Sequence, residues 1–126
     1  MSAAEPPVQM LMQLVHGDSD AANLDAQYAS TVLATLAPGS MRTGIELGVD
    51  IAQRVKRITG LPTSFAVGVT GDYGAVMWVS LAETIQQLQA GNEALSADEE
   101  FSKLLDKDAA KAYLPAAEQS ITRKVA

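Results

Sequence analysis

The stretch Leu61-Pro-Thr-Ser-Phe-Ala-Val-Gly-Val-Thr-Gly-Asp-Tyr-Gly-Ala-Val-Met-Trp-Val-Ser-Leu81 decides the fold. Gly71-Asp72-Tyr73-Gly74 is turn chemistry set between two strand-length runs rich in Val, Phe and Trp, so the segment predicts a β-hairpin. With Thr70 opposite Ala75, period-two alternation puts Phe65, Val67 and Val69 on one face with Val76, Trp78 and Ser80. Ser64, Ala66 and Gly68 then share the other face with Met77, Val79 and Leu81. A sheet with one wet face alternates apolar with polar residues, whereas here both faces are largely apolar. The hairpin therefore needs cover on both sides.

On its N-terminal side, Met41 to Thr59 reads as an amphipathic helix. Leu47, Ile51, Val55 and Ile58 form the apolar stripe, and Gly48 and Ala52 beside it permit close backbone approach. Thr43-Gly-Ile-Glu46 offers a capping box, Arg54, Lys56 and Arg57 suit the negative end of the dipole, and Gly60 with Pro62 stops the helix. Upstream, Tyr28 to Leu36 is read as a strand on its β-branched content and its Pro38-Gly39 stop, with a helical stripe through Leu24, Tyr28 and Val32 as the rival. Val8 to Val15 fits either a helix or a strand, and an added strand or arm is the preferred reading. Asp20 to Gln27 is a loop or a helical turn.

On the C-terminal side, Ser80-Leu-Ala-Glu83 is a second capping-box pattern, opening a helix with Ile85, Leu88 and Leu95 inward. Gly91-Asn92 is expected to weaken its middle and Ser96-Ala-Asp-Glu99 to restart it. Phe101, Leu104 and Leu105 form a further apolar patch before Tyr113-Leu114-Pro115. Glu118 to Val125 alternates as a last strand with one polar face, suited to an edge. The predicted order is thus an α+β, ferredoxin-like βαββαβ antiparallel sheet over residues 28–126, helices on one face, after an N-terminal extension over residues 1–27. The uncovered apolar face predicts a homodimer.

The chain has 126 residues, enough for one core, and carries nine basic against fifteen acidic side chains, a formal charge of -6. That balance disfavours nucleic acid and anionic membrane surfaces as partners and favours one that is neutral, small or a protein. There is no cysteine, so disulfides and thiolate zinc sites are excluded, and the composition fits a cytoplasmic location. The N-terminal region lacks a basic segment and its apolar run is broken by Gln9 and Gln13, so neither a secretory signal nor a membrane span is expected.

Three segments carry a resemblance. Gly74-Ala-Val-Met-Trp-Val-Ser-Leu-Ala-Glu83 is a Trp-bearing strand running into a capped helix, Ala97-Asp-Glu-Glu-Phe101 lies late in the helical region, and Ser120-Ile-Thr-Arg-Lys-Val125 is the last strand. Together they resemble, over about residues 28–126, the dimeric α+β barrel superfamily, which includes antibiotic-biosynthesis monooxygenases, stress-responsive barrel proteins and NIPSNAP-like proteins. The resemblance implies two sheets facing each other in a dimer, and a pocket between each sheet and its helices or its partner. It also implies activities ranging from cofactor-independent oxygenation or cyclisation of aromatic polyketides to haem chemistry or no known reaction, among which fold alone cannot choose.

Haem-degrading relatives place a ligand histidine on the second helix, and Leu81 to Leu114 contains none, which counts against haem. His16 is the sole histidine, so no His pair or triad forms within one chain. It is read either as an arm-borne acid or base or as a plain surface histidine. Relatives use a tryptophan and a tyrosine against flat aromatic substrates; this makes Trp78 the candidate pocket residue, with core or dimer-interface packing as the rival. Phe65, Val67 and Tyr28 would complete a substrate-binding wall. Tyr73 and Arg123 would be polar handles in the catalytic role, unless Tyr73 is an ordinary turn residue and Arg123 pairs with a partner's acid. Arg42 is a second candidate for binding a carboxylate or enolate. Glu46 and Asp50 share a helix face as acid/base carboxylates might, but a cap and a solvated carboxylate are the simpler roles. Asp18 and Asp20 supply too few oxygens for a calcium loop, and the glycines of the hairpin turn precede a strand rather than a phosphate-binding helix.

The expectation is a small enzyme with neither cofactor nor metal, an oxygenase or cyclase for a hydrophobic aromatic or polyketide-like metabolite of antibiotic-type biosynthesis. The alternative is a non-catalytic homodimeric binding or assembly protein. An enclosed cavity of roughly 300 Å³ or more with convergent polar groups separates the first from the second.

Overall fold

The computed structural model describes residues 12–68, 74–115 and 117–123. Five antiparallel strands form one sheet: β1 Met12–His16, β2 Tyr28–Thr35, β3 Thr63–Gly68, β4 Ala75–Ala82 and β5 Glu118–Arg123, in the spatial order β1-β3-β4-β2-β5. Helix α1 spans Met41–Thr59, α2 Ile85–Ala97 and α3 Glu99–Leu104. A π-helical stretch over Leu105–Ala109 and a last turn at Ala110–Ala112 carry α3 on toward β5. Strands β2 to β5 and the helices between them make the ferredoxin-like α+β unit.

In the described part of the N-terminal extension, β1 pairs with β3, so the β3 edge is covered by this chain's own backbone, and a 3-10 turn over Ser19–Asn23 follows. Residues 69–73, the centre of the predicted hairpin turn, lie outside the described residues. The flanking strands pair Phe65 with Trp78 and Val67 with Val76, a register two residues away from the one expected from Thr70 opposite Ala75. A two-residue shift preserves parity, so the face assignments are unchanged.

The apolar stripe of α1 lies on the Phe65–Trp78 face. Phe65 is fully buried, and an added Cβ at Gly48 would come within 2.2 Å of its ring. The glycine thus lets α1 descend onto a large aromatic side chain, whose full burial contributes about 1.5–3 kcal/mol. Ser40, not Thr43, precedes the first turn, and its side chain makes no cap hydrogen bond. Glu46 instead lies exposed, 3.7 Å from Arg42. The helix ends at Gly60, whose φ of 75° and N–H bond to the Lys56 carbonyl make a left-handed stop.

The second capping box is also displaced. Ser80 remains in β4, where the ladder to Ser30 and Thr63 claims its backbone. Thr84 caps α2 by accepting from the Gln87 N–H, while the Gln87 side chain accepts from the Glu83 N–H. Contrary to expectation, α2 runs unbroken through Gly91-Asn92. Gly91 is buried where a Cβ would stand 3.3 Å from Leu61, so here glycine serves a close helix-to-loop approach. Asp98, rather than Ser96, starts α3 by accepting from the Phe101 N–H.

All helices occupy one face of the sheet. By the alternation of the ladder, the other carries Thr31, Leu33, Ala66, Met77, Val79 and Leu81 with no element of the described chain across it. Among the described residues no helix is long and apolar enough to cross a membrane.

Candidate functional site

Three aromatic side chains organise the space between sheet and helices. Trp78 sits between Phe65, with ring centroids 5.1 Å apart and planes at 37°, and Tyr113, in an edge-to-face contact at 5.3 Å. Two hydrogen bonds fix the set: Trp78 Nε1 donates to the Gly48 carbonyl at 2.9 Å, and the Tyr113 hydroxyl donates to the Gly44 carbonyl. Tyr113 is held in place by backbone bonds on either side of it, Ala37 N–H to the Ala112 carbonyl and Leu114 N–H to the Thr35 carbonyl, each 2.8 Å. The end of the helical region is thereby tied beside the end of β2.

Between this aromatic set and the helices lies a cavity of about 580 Å³. Val32, Ala34 and Trp78 form its floor on the sheet, Ile51 and Val55 of α1 one wall, and Leu88 and Leu95 of α2 another. Exposed Leu105, Leu114 and Gln119 mark its rim, where the π-helical stretch widens the last helix. The lining is predominantly apolar, and the sheet contributes three polar groups at one end of the floor.

Those polar groups are a row of hydroxyls. Thr63 on β3 stands opposite Ser80 on β4, and Ser80 opposite Ser30 on β2, so three adjacent strands contribute one hydroxyl each to the cavity side. Thr63 Oγ1 lies 3.0 Å from the Leu61 carbonyl and 2.9 Å from Ser80 Oγ, and the Gln119 amide donates to Ser30 Oγ at 3.0 Å. Tyr113 is the ionisable side chain on the lining, and burial pushes its hydroxyl well above the ordinary range of a phenol. A raised value favours the neutral hydroxyl, so among the described lining residues Tyr113 acts as a hydrogen-bonding group rather than a base.

Of the residues singled out from the sequence, Trp78 lines this cavity. Phe65 lies beneath α1 and supports the indole, while Val67 continues along the same sheet face beyond the cavity lining. Tyr28 and Arg123 are brought opposite each other on β2 and β5, Arg123 exposed, outside the cavity. His16 is opposite Phe65 on β1 and borders a separate cleft of about 280 Å³ with Asp18, Gln53 and Lys56. Tyr73 lies outside the described residues. Arg42 is exposed on α1, and Asp50 makes a two-oxygen ion pair with Arg54 at 3.1 and 3.2 Å.

In the His16 cleft, Lys56 bridges Asp18, at 2.8 Å, and Asp20. Burial alone would push Asp18 up, but the Lys56 ammonium and the Asp20 N–H outweigh it and hold the carboxyl below its ordinary value. The two carboxylates in turn hold Lys56 above its usual range. Among the described residues no group of three or more His, Cys, Asp or Glu side chains is placed to hold a metal ion.

Sequence reasoning missed Tyr113, Ser30, Thr63 and Gln119. For Ser30 a signal existed, because it breaks the parity that Val32 and Ala34 make apolar. Tyr113 had none, since its place depends on how the helical region returns to β2.

No family model matches the chain, and no curated protein does. Solved structures do. A NIPSNAP-like domain protein from Burkholderia xenovorans is 15% identical with a TM-score of 0.63, covering 81% of this chain and 88% of its own. An anthrone oxidase-like protein is 13% identical at a TM-score of 0.72 over 93% of this chain, which spans 55% of that protein's length. A monooxygenase from the gene ActVA-Orf6 of Streptomyces coelicolor, in complex with the ligand nanaomycin D, is 13% identical at 0.57, over 80% of this chain and 89% of that one. With the strand order and the single-sided helices, these likenesses show that the chain shares the ferredoxin-like α+β fold of these proteins.

Proposed function

We propose that this chain binds a flat, hydrophobic aromatic metabolite of polyketide type between its sheet and helices and oxidises it with dioxygen without a cofactor. The observation that carries the reading is the cavity of about 580 Å³, apolar on its walls, with the Trp78 indole on its floor and hydroxyls at one end. Its volume falls in the range of small-molecule sites. The monooxygenase and anthrone oxidase-like proteins among the fold neighbours support the same reading.

The chemistry follows from what the lining can do. Since Tyr113 stays protonated, the substrate must bring its own acidity, as the enol tautomer of an aryl ketone does. The substrate's electrons pass to dioxygen, an activated methylene becomes a carbonyl, and the second oxygen atom leaves as water, so that CH2 and O2 become C=O and H2O. The protein contributes shape, exclusion of bulk water and hydrogen bonds that orient the ring. The uncovered apolar sheet face supports pairing of two copies back to back, leaving each cavity on the outer side of its own sheet.

The test is oxygen consumption with anthrone as substrate. One O2 per anthrone converted, together with a loss of at least about 10-fold in kcat/KM for Trp78→Ala, supports the reading. Binding of anthrone with no oxygen consumed above the protein-free rate would overturn the oxidase reading in favour of a carrier.

A further inference from the structure

The geometry points to Ser80 as an acceptor-only hydrogen-bonding group that selects a substrate bearing a phenolic hydroxyl, with Thr63 as the residue that sets its polarity. The inference rests on the cavity being the ligand site.

A hydroxyl carries a single hydrogen. The Leu61 carbonyl can only accept, so the Thr63 Oγ1 hydrogen is committed to it at 3.0 Å. The 2.9 Å contact between Thr63 and Ser80 must then be donated by Ser80. Ser80 Oγ therefore faces the cavity with lone pairs and no hydrogen. Thr63 itself is 1% exposed, so its end of this relay is withdrawn from bulk water.

The neighbouring strand offers the opposite polarity. Ser30 Oγ accepts from the Gln119 amide, and its own hydrogen has no partner among the described residues. Ser30 and Ser80 are direct ladder partners, one strand spacing apart, about 4.8 Å. The floor thus presents an acceptor and a donor side by side, at the end of an apolar slot. A ring carrying a hydroxyl on one edge position and a carbonyl on a nearby one meets both: its O–H donates to Ser80 and its C=O accepts from Ser30. Methylating the hydroxyl leaves two oxygens with lone pairs facing each other, and costs the Ser80 contact.

Trp78 is the sole tryptophan, so quenching of its fluorescence reads the cavity directly. Two probes suffice, 2-hydroxyanthraquinone and its methyl ether 2-methoxyanthraquinone. The 126-residue chain should bind the hydroxyl form about 3- to 10-fold more tightly, the range of one neutral hydrogen bond. Ser80→Ala should bring that ratio to about one by weakening the hydroxyl form. Thr63→Val should also collapse it, now with a gain for the methyl ether, because Ser80 recovers a hydrogen to donate. Thr63→Ser should restore the ratio, separating relay polarity from loss of fold. Ser30→Ala should weaken both probes equally, since both carry the carbonyl. A ratio near one in the parent chain, or a ratio unchanged in Ser80→Ala or Thr63→Val, would overturn this inference while leaving the cavity as the ligand site. Absence of quenching by either probe would overturn the cavity reading and this inference together.

Discussion

The indole nitrogen of Trp78 donates to the Gly48 carbonyl at 2.9 Å, and the ring of Phe65 occupies the space that a side chain at Gly48 would need. One glycine on α1 thereby seats two aromatic residues of the sheet. Gly48→Ala places a Cβ 2.2 to 2.6 Å from three ring atoms of Phe65, so helix and sheet must separate. It should destabilise the protein by about 1–3 kcal/mol, outweighing the better helix propensity of alanine. Urea unfolding with an unchanged m-value checks this.

Trp78→Phe keeps the aromatic contact and removes the hydrogen bond. It should cost about 0.5–1.5 kcal/mol, while Phe65→Ala should cost about 3–5 kcal/mol because it empties a fully buried site. Equal losses in a thermal melt would show that the hydrogen bond holds the aromatic set as strongly as its packing does.

Tyr113 provides an alkaline signature. Its folded-state value is raised, so the unfolded chain loses the proton first, and the stability from the neutral buried hydroxyl is present below the ordinary value of 10.0 and falls as pH rises beyond it. Tyr113→Phe should lose about 0.5–1.5 kcal/mol at neutral pH through its bond to Gly44. It should also show a shallower decline above pH 10. A set of melts at several alkaline pH values, parent against variant, measures both.

Asp18 acts at the other end of the scale. Its folded-state value lies below the ordinary 3.8, so its contribution is present above that value and is lost as pH falls through the folded value. Asp18→Asn should lower the melting temperature at neutral pH and flatten the dependence on acid below about pH 4. The loss reflects a Lys56 left with Asp20 as its one carboxylate partner, and a weaker hold on the strap from β1 through the turn at Ser19–Asn23 that the pair ties to α1. Equal acid sensitivity of parent and variant would show that the pair contributes nothing to this dependence.

The cavity has room for a larger floor. Ala34→Phe points a ring into it and should weaken binding of either anthraquinone probe at least about 10-fold, while changing stability by less than about 1.5 kcal/mol, because the new side chain fills empty space. Unaltered probe affinity in a folded Ala34→Phe protein would place the ligand elsewhere.

Much of this architecture is legible in the chain itself. Residues 41–59 announce a helix through the spacing of Leu47, Ile51, Val55 and Ile58, and strand alternation groups Phe65, Val76 and Trp78 on one sheet face. These are local periodicities, set by 3.6 and 2 residues per repeat, and burial of one face follows from them. Capping was less legible. Ser80-Leu-Ala-Glu83 and Thr84-Ile-Gln-Gln87 are equivalent as local patterns, and only the ladder of Ser80 to Ser30 and Thr63 decides that the strand continues and the helix starts later.

The candidate site was the least legible part. Trp78 was recognisable as a pocket candidate through the family resemblance, since a lone tryptophan by itself fits core or interface packing equally. The cavity it lines, the Tyr113 contact and the row of Thr63, Ser80 and Ser30 join residues far apart in the chain. Their meeting depends on strand register and on where the helical region returns to β2, which no local pattern encodes. Periodicity and composition by themselves determined an α+β chain with a sheet apolar on both faces, because side-chain alternation is a property of each strand alone. Tertiary structure alone decided which of those faces holds a cavity, because a void exists only where helices and sheet meet without filling the space between them.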